Sequence, residues 1–360
     1  MHFAIFGLSI TSSWGNGHAA LWRGLCRALN ERGHTIHFFE KDVPYYAQAR
    51  DPVELDDGEV VLYADWRSVA SKARRVLADA DVGIITSYYP DVVQAAALLS
   101  DSRAMSVFYD LDSPITLTRL RAGQPVEYVL PDGLARFDLV LSYAGGRALE
   151  LLQSELGAKR VSALCGWADP QLHFPQPPRS EFRGDLSYLG TYSADRQATL
   201  EELLIEPARE LPGKTFVLGG AQYPDSFPWS KNIHFVRHLP PCDHGAFYCS
   251  SPLTLNVTRR AMAEVGHCPS GRLFEAALCG VPVLSDYWPG LEEFFVPGQE
   301  ILVARTREDT IEALEMPAEE LSRIGRAAYE RTLADHTASV RAQQLEQALE
   351  AATCSVAQNC

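Results

Sequence analysis

Short apolar runs alternate with amphipathic stretches along the first half of the chain. The run at 2–8 precedes a polar, glycine-containing loop, and residues 18–32 then repeat apolar side chains at helical spacing. Gly33 ends that predicted helix, and 35–39 is the next predicted strand. The same alternation predicts further strands at 60–63, 82–86, 104–109, 137–142 and 160–164 and helices at 68–78, 92–99 and 147–156.

A proline-rich segment separates this series from a second one. Four prolines lie within 169–178, so 168–183 is predicted to be an interdomain linker. The second series predicts strands at 185–190, 215–219, 233–236, 253–257, 281–285 and 301–304 and helical segments at 196–211, 272–279, 292–295 and 318–350. Such alternation is typical of α/β domains, in which helices cover both faces of a parallel sheet. We predict domains at 1–168 and 169–334, then a C-terminal helix with a frayed tail at 335–360.

Charge and composition narrow the range of partners. The 360 residues include 32 Lys and Arg against 46 Asp and Glu, a net charge of −14. Nucleic-acid binding depends on neutralising phosphates, so no nucleic-acid partner is expected. No apolar run approaches the roughly 20 residues of a transmembrane segment, and no basic region precedes the first apolar run as in a signal peptide. We therefore predict a cytoplasmic protein that binds a small anion; nothing in the sequence indicates its oligomeric state.

The eight cysteines are scattered and form no C-x-x-C pair, which favours reduced thiols. Cys242, His244 and Cys249 could together ligate a metal. Their irregular spacing favours small buried residues instead, so no metal site is predicted.

The loop after the first predicted strand ends in Gly15, Asn16, Gly17 and His18. Gly15 and Gly17 would let a ligand approach the backbone closely. His18 lies at a helix N-terminus, where the helix dipole disfavours the protonated ring and favours a neutral base. The alternative is an ordinary turn with a partly exposed histidine. The loop is not a G-x-G-x-x-G sequence, so a nicotinamide cofactor is not expected.

A second loop, at 266–271, opens the helix predicted at 272–279. Ser270 and Gly271 would present free backbone N–H groups to a phosphate, and Arg272 could add a bidentate contact. Glu275, one turn further along, could accept two hydrogen bonds from a ribose diol. The alternative is a capped helix in which Glu275 interacts only with the helix dipole.

The run RLFEAALCGVPVLSD at 272–286 resembles the nucleotide-sugar segment of GT-B glycosyltransferases, and more closely that of the CgeB-like spore-maturation glycosyltransferase group. The resemblance covers nearly the whole chain and includes SSWGNGH at 12–18, YDLDSP at 109–114, YLGTYSADR at 188–196, LNVT at 255–258 and GLEEFFVPGQE at 290–300. It implies the α/β GT-B fold, with two Rossmann-like domains facing each other across a cleft. The acceptor side would be N-terminal and the nucleotide-sugar donor domain C-terminal, with the last helix crossing back to the N-terminal domain.

The resemblance also implies roles for individual residues. Arg196 would bind the donor diphosphate together with Arg272, without a metal ion, and Asn256 would face the cleft. The alternative for Arg196 is a solvent-facing residue paired with Asp195 or Glu201. The resemblance favours a UDP- or dTDP-sugar as donor and no other cofactor, and it leaves the acceptor unidentified.

One position departs from the pattern of retaining GT-B enzymes. Many of them carry Glu-x7-Glu; Glu275 matches the second glutamate, but His267 occupies the place of the first. His267 could bond a sugar hydroxyl or be only a loop residue. The donor sugar and the choice between inversion and retention therefore stay open.

Asp110 and Asp112 form an Asp-x-Asp sequence at the end of a predicted strand. In GT-A enzymes such a pair holds a divalent metal. The two-domain pattern instead favours the acceptor side, where either aspartate could orient His18 or bind acceptor hydroxyls. The sequence thus predicts glycosyl transfer from a nucleoside diphosphate sugar, with His18 as general base for an inverting reaction. The alternatives are a catalytically inactive GT-B-like binding protein and a nucleotide-sugar epimerase.

Overall fold

A computed structural model describes residues 1–14 and 16–357. The chain divides into two compact units. Unit 1 combines Met1–Cys165 with the segment that begins at Ala338, and unit 2 is Gly166–Thr337. Each unit is built around one parallel sheet.

Unit 1 contains a seven-stranded sheet in the order β3-β2-β1-β4-β5-β6-β7, and every neighbouring pair is parallel. Its strands are β1 (His2–Gly7), β2 (Thr35–Lys41), β3 (Gly58–Tyr63), β4 (Val82–Thr86), β5 (Met105–Asp110), β6 (Leu139–Ser142) and β7 (Val161–Ala163). Its first helices are α1 (His18–Glu31), α2 (Pro44–Ala47), α3 (Trp66–Asp79), α4 (Val92–Ser100), α5 (Ser113–Arg121) and α6 (Arg147–Leu156). The central strands β1 and β4 are almost continuously apolar because helices cover both faces of the sheet.

Unit 2 contains a six-stranded parallel sheet in the order β10-β9-β8-β11-β12-β13. Its strands are β8 (Leu186–Leu189), β9 (Phe216–Gly220), β10 (Ile233–Arg237), β11 (Thr254–Asn256), β12 (Val283–Asp286) and β13 (Leu302–Ala304). Its helices are α7 (Gln197–Leu200), α8 (Glu206–Glu210), α9 (His244–Cys249), α10 (Arg260–Val265), α11 (Gly271–Leu278), α12 (Arg307–Glu315) and α13 (Ala318–Asp335). Single 3₁₀ turns lie at Ser180–Phe182, Ala194–Arg196, Pro241–Asp243 and Leu291–Glu293.

The α/β class and both parallel sheets agree with the sequence pattern, but several details differ. The helix predicted at 196–211 contains a π-helical turn, Glu201–Ile205, between α7 and α8. The segment 168–183 belongs to unit 2, where the backbone N–H groups of Gln176 and Arg179 donate to Cys249 Sγ and Ser250 Oγ. In the described part of the chain, no helix is both long and apolar enough to cross a bilayer.

The last helix, α14 (Ala338–Ala357), returns to unit 1 and packs against α1. It continues to Ala357, whereas the sequence predicts fraying over the last ten residues; residues 358–360 of that tail lie outside the described residues. Glu346 accepts hydrogen bonds from Arg32 and lies 2.6 Å from His34 Nε2 through Oε1. The hydrogen bond from Arg32 is the main reason that the pKa of Glu346 falls to about 2.

Replacing Glu346 with glutamine should lower the free energy of unfolding by about 1–3 kcal/mol at neutral pH, because a charged hydrogen-bond acceptor is lost. The folded pKa of Glu346 is depressed, so its contribution is present above the ordinary glutamate pKa. That contribution disappears as the pH falls towards about 2. Urea denaturation of wild type and Glu346→Gln between pH 7 and pH 3 measures the difference between their free energies of unfolding. This difference should become smaller as the pH is lowered. The exposed Glu350→Gln change in the same helix is the control, and equal losses for both variants would contradict the prediction.

Candidate functional site

The strand order of unit 2 reverses direction between β8 and β11. In open parallel sheets, ligands bind outside the carboxyl ends of the strands at this position. Leu189 ends β8 and Asn256 ends β11, and Arg272 contacts both of them. The structure therefore brings residues from the predicted donor segment together at the expected edge of the sheet.

Arg272, in the first turn of α11, is 9% exposed. Its Nε donates to the Leu189 carbonyl, its Nη1 donates to Asn256 Oδ1 at 2.6 Å, and its guanidinium lies 5.1 Å from the centre of the Tyr188 ring. Gly190 leaves room for the remaining nitrogen, because a Cβ at this position would lie 2.9 Å from Nη2. The sheet thus fixes the guanidinium rigidly at the strand ends.

Asn256 has no exposed surface, and both ends of its amide are bonded within the protein. Its Oδ1 accepts from Arg272, and its Nδ2 donates to Ser285 Oγ at 2.9 Å. The neighbouring Asp286 accepts from the backbone and hydroxyl of Thr258, both at 2.9 Å, and burial raises its pKa to about 6. In the structure, Asn256 orients Arg272 and is not placed to touch a ligand itself.

Arg196 ends the 3₁₀ turn that follows the β8 loop. Its Nη1 donates to the Thr191 carbonyl at 3.1 Å, and its Nε is buried with no hydrogen-bond partner among the described residues. Asp195 pairs with Arg259 at 3.2 Å and not with Arg196. Burial lowers the pKa of Arg196, and the nearby guanidinium groups of Arg272 and Arg259 lower it further. This concentration of partly desolvated positive charge favours an anionic ligand.

Ser270 and Gly271 lie at the start of α11, as predicted. Ser270 is the N-cap, but its side chain makes no capping hydrogen bond. Among the first-turn amides, Leu273 N bonds the Ser270 carbonyl at 3.0 Å. A helix start without a side-chain cap retains N–H groups that an anion can use.

Glu275 lies one turn into α11, and its side chain is 19% exposed. Its Oε2 accepts from the Tyr248 hydroxyl at 3.1 Å and lies 3.7 Å from His244 Nδ1. Burial raises the pKa of this carboxyl, but hydrogen bonding and positive charge from its histidine neighbours prevail and bring it to about 2. Glu275 is therefore ionised, with its Oε1 on the side of Gly271.

His267, at the position of the missing first glutamate, has a positive φ of 49°. Its backbone N–H donates to the Pro289 carbonyl at 2.7 Å, and its Nδ1 lies 3.0 Å from Glu293 Oε1. Gly290 makes this arrangement possible, because a Cβ there would lie 2.4 Å from His267 Nδ1. The histidine thus packs closely against the 289–293 segment.

In unit 1, two carboxylates hold the loop that follows β1. Glu40, fully buried at the end of β2, accepts from Ile10 N at 2.7 Å, Thr11 N at 3.0 Å, and the Ser9 and Thr11 hydroxyls. Asp51 accepts from the backbone and hydroxyl of Ser13 and from Arg23. This loop is therefore fixed up to residue 13.

The end of the same loop carries three of the predicted site residues. Gly15 lies outside the described residues. Gly17 has φ and ψ of −64° and −21°, which any residue can adopt, and a Cβ there would meet nothing within 4 Å. Neither the backbone conformation nor the packing of the protein requires glycine here, and the close approach of a ligand stays a prediction. His18 begins α1 half-buried, and its backbone N–H donates to Asn16 Oδ1 at 3.1 Å. Neither nitrogen of its ring makes a hydrogen bond within the described chain.

Asp110 and Asp112 do not contact His18 through a hydrogen bond. Asp110 ends β5 with no exposed surface; its Oδ1 accepts from Asp112 N at 3.0 Å, and its Oδ2 has no partner among the described residues. Burial raises the pKa of Asp110 to about 7. Asp112 Oδ2 accepts from the Tyr88 hydroxyl at 2.8 Å. Within the described residues, neither aspartate joins a group of three or more metal-ligating side chains.

Sequence reasoning missed the residues that support these sites. Glu40 could have been singled out, because it is a charged residue at the end of an apolar strand. The sequence gives no indication of the roles of Tyr248 and Asp286, because their hydrogen-bond partners are distant in sequence.

Part of the chain matches a known family. Residues 196–347 match the family model described as glycosyl transferase-like. No curated protein shows a match to this sequence. The matched segment includes Arg196, Asn256, Arg272 and Glu275.

Solved structures resemble the fold over almost its whole length. Sucrose-phosphate synthase from Thermosynechococcus elongatus is 12% identical with a TM-score of 0.70, covering 99% of this chain and 100% of that one. Anabaena HepE in complex with UDP-glucose is 16% identical with a TM-score of 0.67, covering 98% and 100%. T4 phage BGT in complex with UDP and Mn²⁺ is 13% identical with a TM-score of 0.63, covering 97% and 99%. These likenesses confirm the predicted α/β GT-B fold.

Replacing Glu40 with alanine should lower the free energy of unfolding by about 2–4 kcal/mol, because the buried N–H group of Ile10 and the half-buried N–H group of Thr11 lose their acceptor. Chemical denaturation of both proteins measures the difference. Glu31→Ala, an exposed glutamate at the end of α1, is the matched control. A loss for Glu40→Ala no larger than that of the control would show that the carboxylate does not hold the loop.

Proposed function

We propose that this chain, an enzyme of the GT-B glycosyltransferase superfamily, transfers a glycosyl group from a nucleoside diphosphate sugar to an acceptor. The observation that carries the proposal is the pair of arginines at the strand ends of unit 2, of which Arg272 is buried and Arg196 is half-buried. The glycosyl transferase-like match covers both arginines. Two guanidinium groups held this way suit a ligand with more than one negative charge, such as a diphosphate.

The donor diphosphate would bind at Arg196, Arg272 and the start of α11 at Ser270 and Gly271. As the bond from the sugar to the diphosphate breaks, negative charge grows on the leaving phosphate. Fixed cations and backbone N–H groups stabilise that charge without reorganising. Arg196 offers its Nε, which has no hydrogen-bond partner among the described residues, and we propose that its guanidinium group replaces the metal ion that other glycosyltransferases use.

Glu275 would hold the ribose of the nucleotide. Its carboxylate is ionised, partly exposed and one turn from the proposed diphosphate site, so its Oε1 can accept from a sugar hydroxyl. UDP- and dTDP-sugars are the donors that we propose first. The finer assignment to the CgeB-like group rests on the sequence motifs alone.

His18 would act as general base towards the acceptor hydroxyl in an inverting reaction. Its ring nitrogens carry no hydrogen bond to another described residue, so one of them can accept a proton. Asp112, which is half-buried, would line the acceptor side, and Asp110, which has no exposed surface, would support it through the hydrogen bond that its Oδ1 accepts from Asp112 N. We do not assign them the role of orienting His18, because no hydrogen bond joins them to it.

Calorimetric titration with UDP, dTDP, GDP and ADP tests the donor site, with Mg²⁺, with Mn²⁺ and with a chelator. One nucleotide should bind without metal, and Arg196→Ala should weaken its binding roughly ten- to a hundredfold through loss of a charged hydrogen bond. Glu275→Ala should weaken it as well. Arg260→Ala, which removes an exposed arginine nearby, is the matched control.

Three results would count against this proposal. Binding that requires Mn²⁺ would replace the metal-independent mechanism, and T4 phage BGT has been seen with UDP and Mn²⁺. A folded protein that binds no nucleotide would favour the inactive binding protein. Conversion of the sugar without an acceptor would favour the epimerase.

His18→Ala should lower kcat by roughly a hundred- to ten-thousandfold, because general-base catalysis is lost. Nucleotide affinity should not change, since the proposed donor contacts all lie in unit 2. Turnover is measured as release of the nucleoside diphosphate, with water and then with acceptors from a screen. The exposed His234→Ala is the control, and unchanged turnover in His18→Ala would remove His18 from the mechanism.

A further inference from the structure

Three side chains with metal-ligating atoms meet in unit 2 from separate parts of the sequence. His173 lies in the segment before β8, His244 begins α9, and Glu275 lies in α11. One ligand atom from each residue lies within 4.8 Å of the others. His244 Nδ1 and Glu275 Oε2 are 3.7 Å apart.

His173 has a buried ring nitrogen that no other described residue bonds. Its side chain is 5% exposed, and its Nδ1 makes no hydrogen bond within the described chain. Its backbone is fixed by a 2.8 Å hydrogen bond from its N–H to the Asp169 carbonyl. A buried polar atom without a partner is unfavourable, so an occupant that uses this nitrogen would stabilise the fold.

The surroundings of Glu275 suit a metal ligand. The Tyr248 hydroxyl donates to Oε2 at 3.1 Å, and such outer hydrogen bonds orient the ligands of metal sites. Two imidazoles and one carboxylate form a ligand set typical of zinc. Magnesium and calcium prefer oxygen ligands alone, so two histidines select against them.

We propose that His173, His244 and Glu275 bind one transition-metal ion of the zinc class, with water as a fourth ligand. Metal–ligand bonds of about 2.0–2.2 Å place tetrahedral ligand atoms roughly 3.3 Å apart. Binding therefore requires the three ligand atoms to move closer together by on the order of 1 Å. Glu275 binds through Oε2. Its Oε1, which approaches Gly271, stays available to another ligand. The ion therefore fixes Glu275 against α9 and the 166–183 segment.

Cobalt(II) titration of the metal-free, full-length chain without a histidine tag tests this proposal. Four-coordinate cobalt absorbs visible light strongly, so the spectrum reports on geometry as well as on binding. We expect one ion per chain, displaced by one equivalent of zinc. His244→Ala and Glu275→Gln should each abolish the absorption, and Tyr248→Phe should weaken binding roughly ten- to a hundredfold. His173→Ala should behave like His244→Ala if it folds.

Two controls separate this site from adventitious binding. His234→Ala removes an exposed histidine of β10, and Cys242→Ser removes the thiol nearest in sequence to His244. Both should bind cobalt as the wild type does, with thermal unfolding used to verify that each variant is folded. The proposal fails if folded wild type gives no visible absorption with cobalt in excess. It also fails if His244→Ala and Glu275→Gln bind normally, or if Cys242→Ser loses the ion. None of these readouts depends on nucleotide binding or sugar transfer.

Discussion

Burial of the Arg272 guanidinium is the interaction on which the arrangement of unit 2 depends. Removing a cation from water costs several kcal/mol unless its N–H groups are matched and its charge is balanced. Here the partners are the Leu189 carbonyl, the Asn256 amide and the face of the Tyr188 ring. Because Asn256 is itself held by Ser285, one side chain links the ends of β8, β11 and β12 to the start of α11. These elements cannot shift independently without unpairing a buried charge.

A second, half-buried cation makes this arrangement costly in the absence of a ligand. Arg196 lies near enough to Arg272 and Arg259 for their charges to lower its pKa, and its Nε has no partner in the described chain. Repulsion between guanidinium groups destabilises the folded unit, and an anion between them would remove that repulsion. Functional sites commonly reduce the stability of the folded protein in this way, because groups that bind a ligand are held in position without it.

The fold was largely predictable from sequence because the strands are short, apolar and separated by glycine and proline. The start of α11 was predicted at Arg272, one residue after its observed start at Gly271, because a loop containing proline, serine and glycine precedes it. What could not be predicted depends on contacts between distant segments. Nothing near Asn256 indicates that it orients Arg272. Glu40 stands out as a charged residue at the end of an apolar strand, but its neighbours in sequence do not indicate that its partners lie in the loop after β1. Helices α5 and α12 are as long as α4, which was predicted, but their apolar residues do not recur on one helical face.

The return of α14 to unit 1 also has a consequence for how the chain is made. All of unit 2 lies between β7 and α14 in sequence, so it is synthesised before unit 1 can be completed. At ribosomal speeds of about 5–20 residues per second, that interval lasts on the order of ten to thirty seconds. Throughout it, the face of α1 that α14 covers stays open, and the Arg32 guanidinium and His34 Nε2 lack their partner Glu346. The nascent protein therefore passes through a stage in which one finished unit is attached to one unfinished unit, and chaperones have that time to bind it.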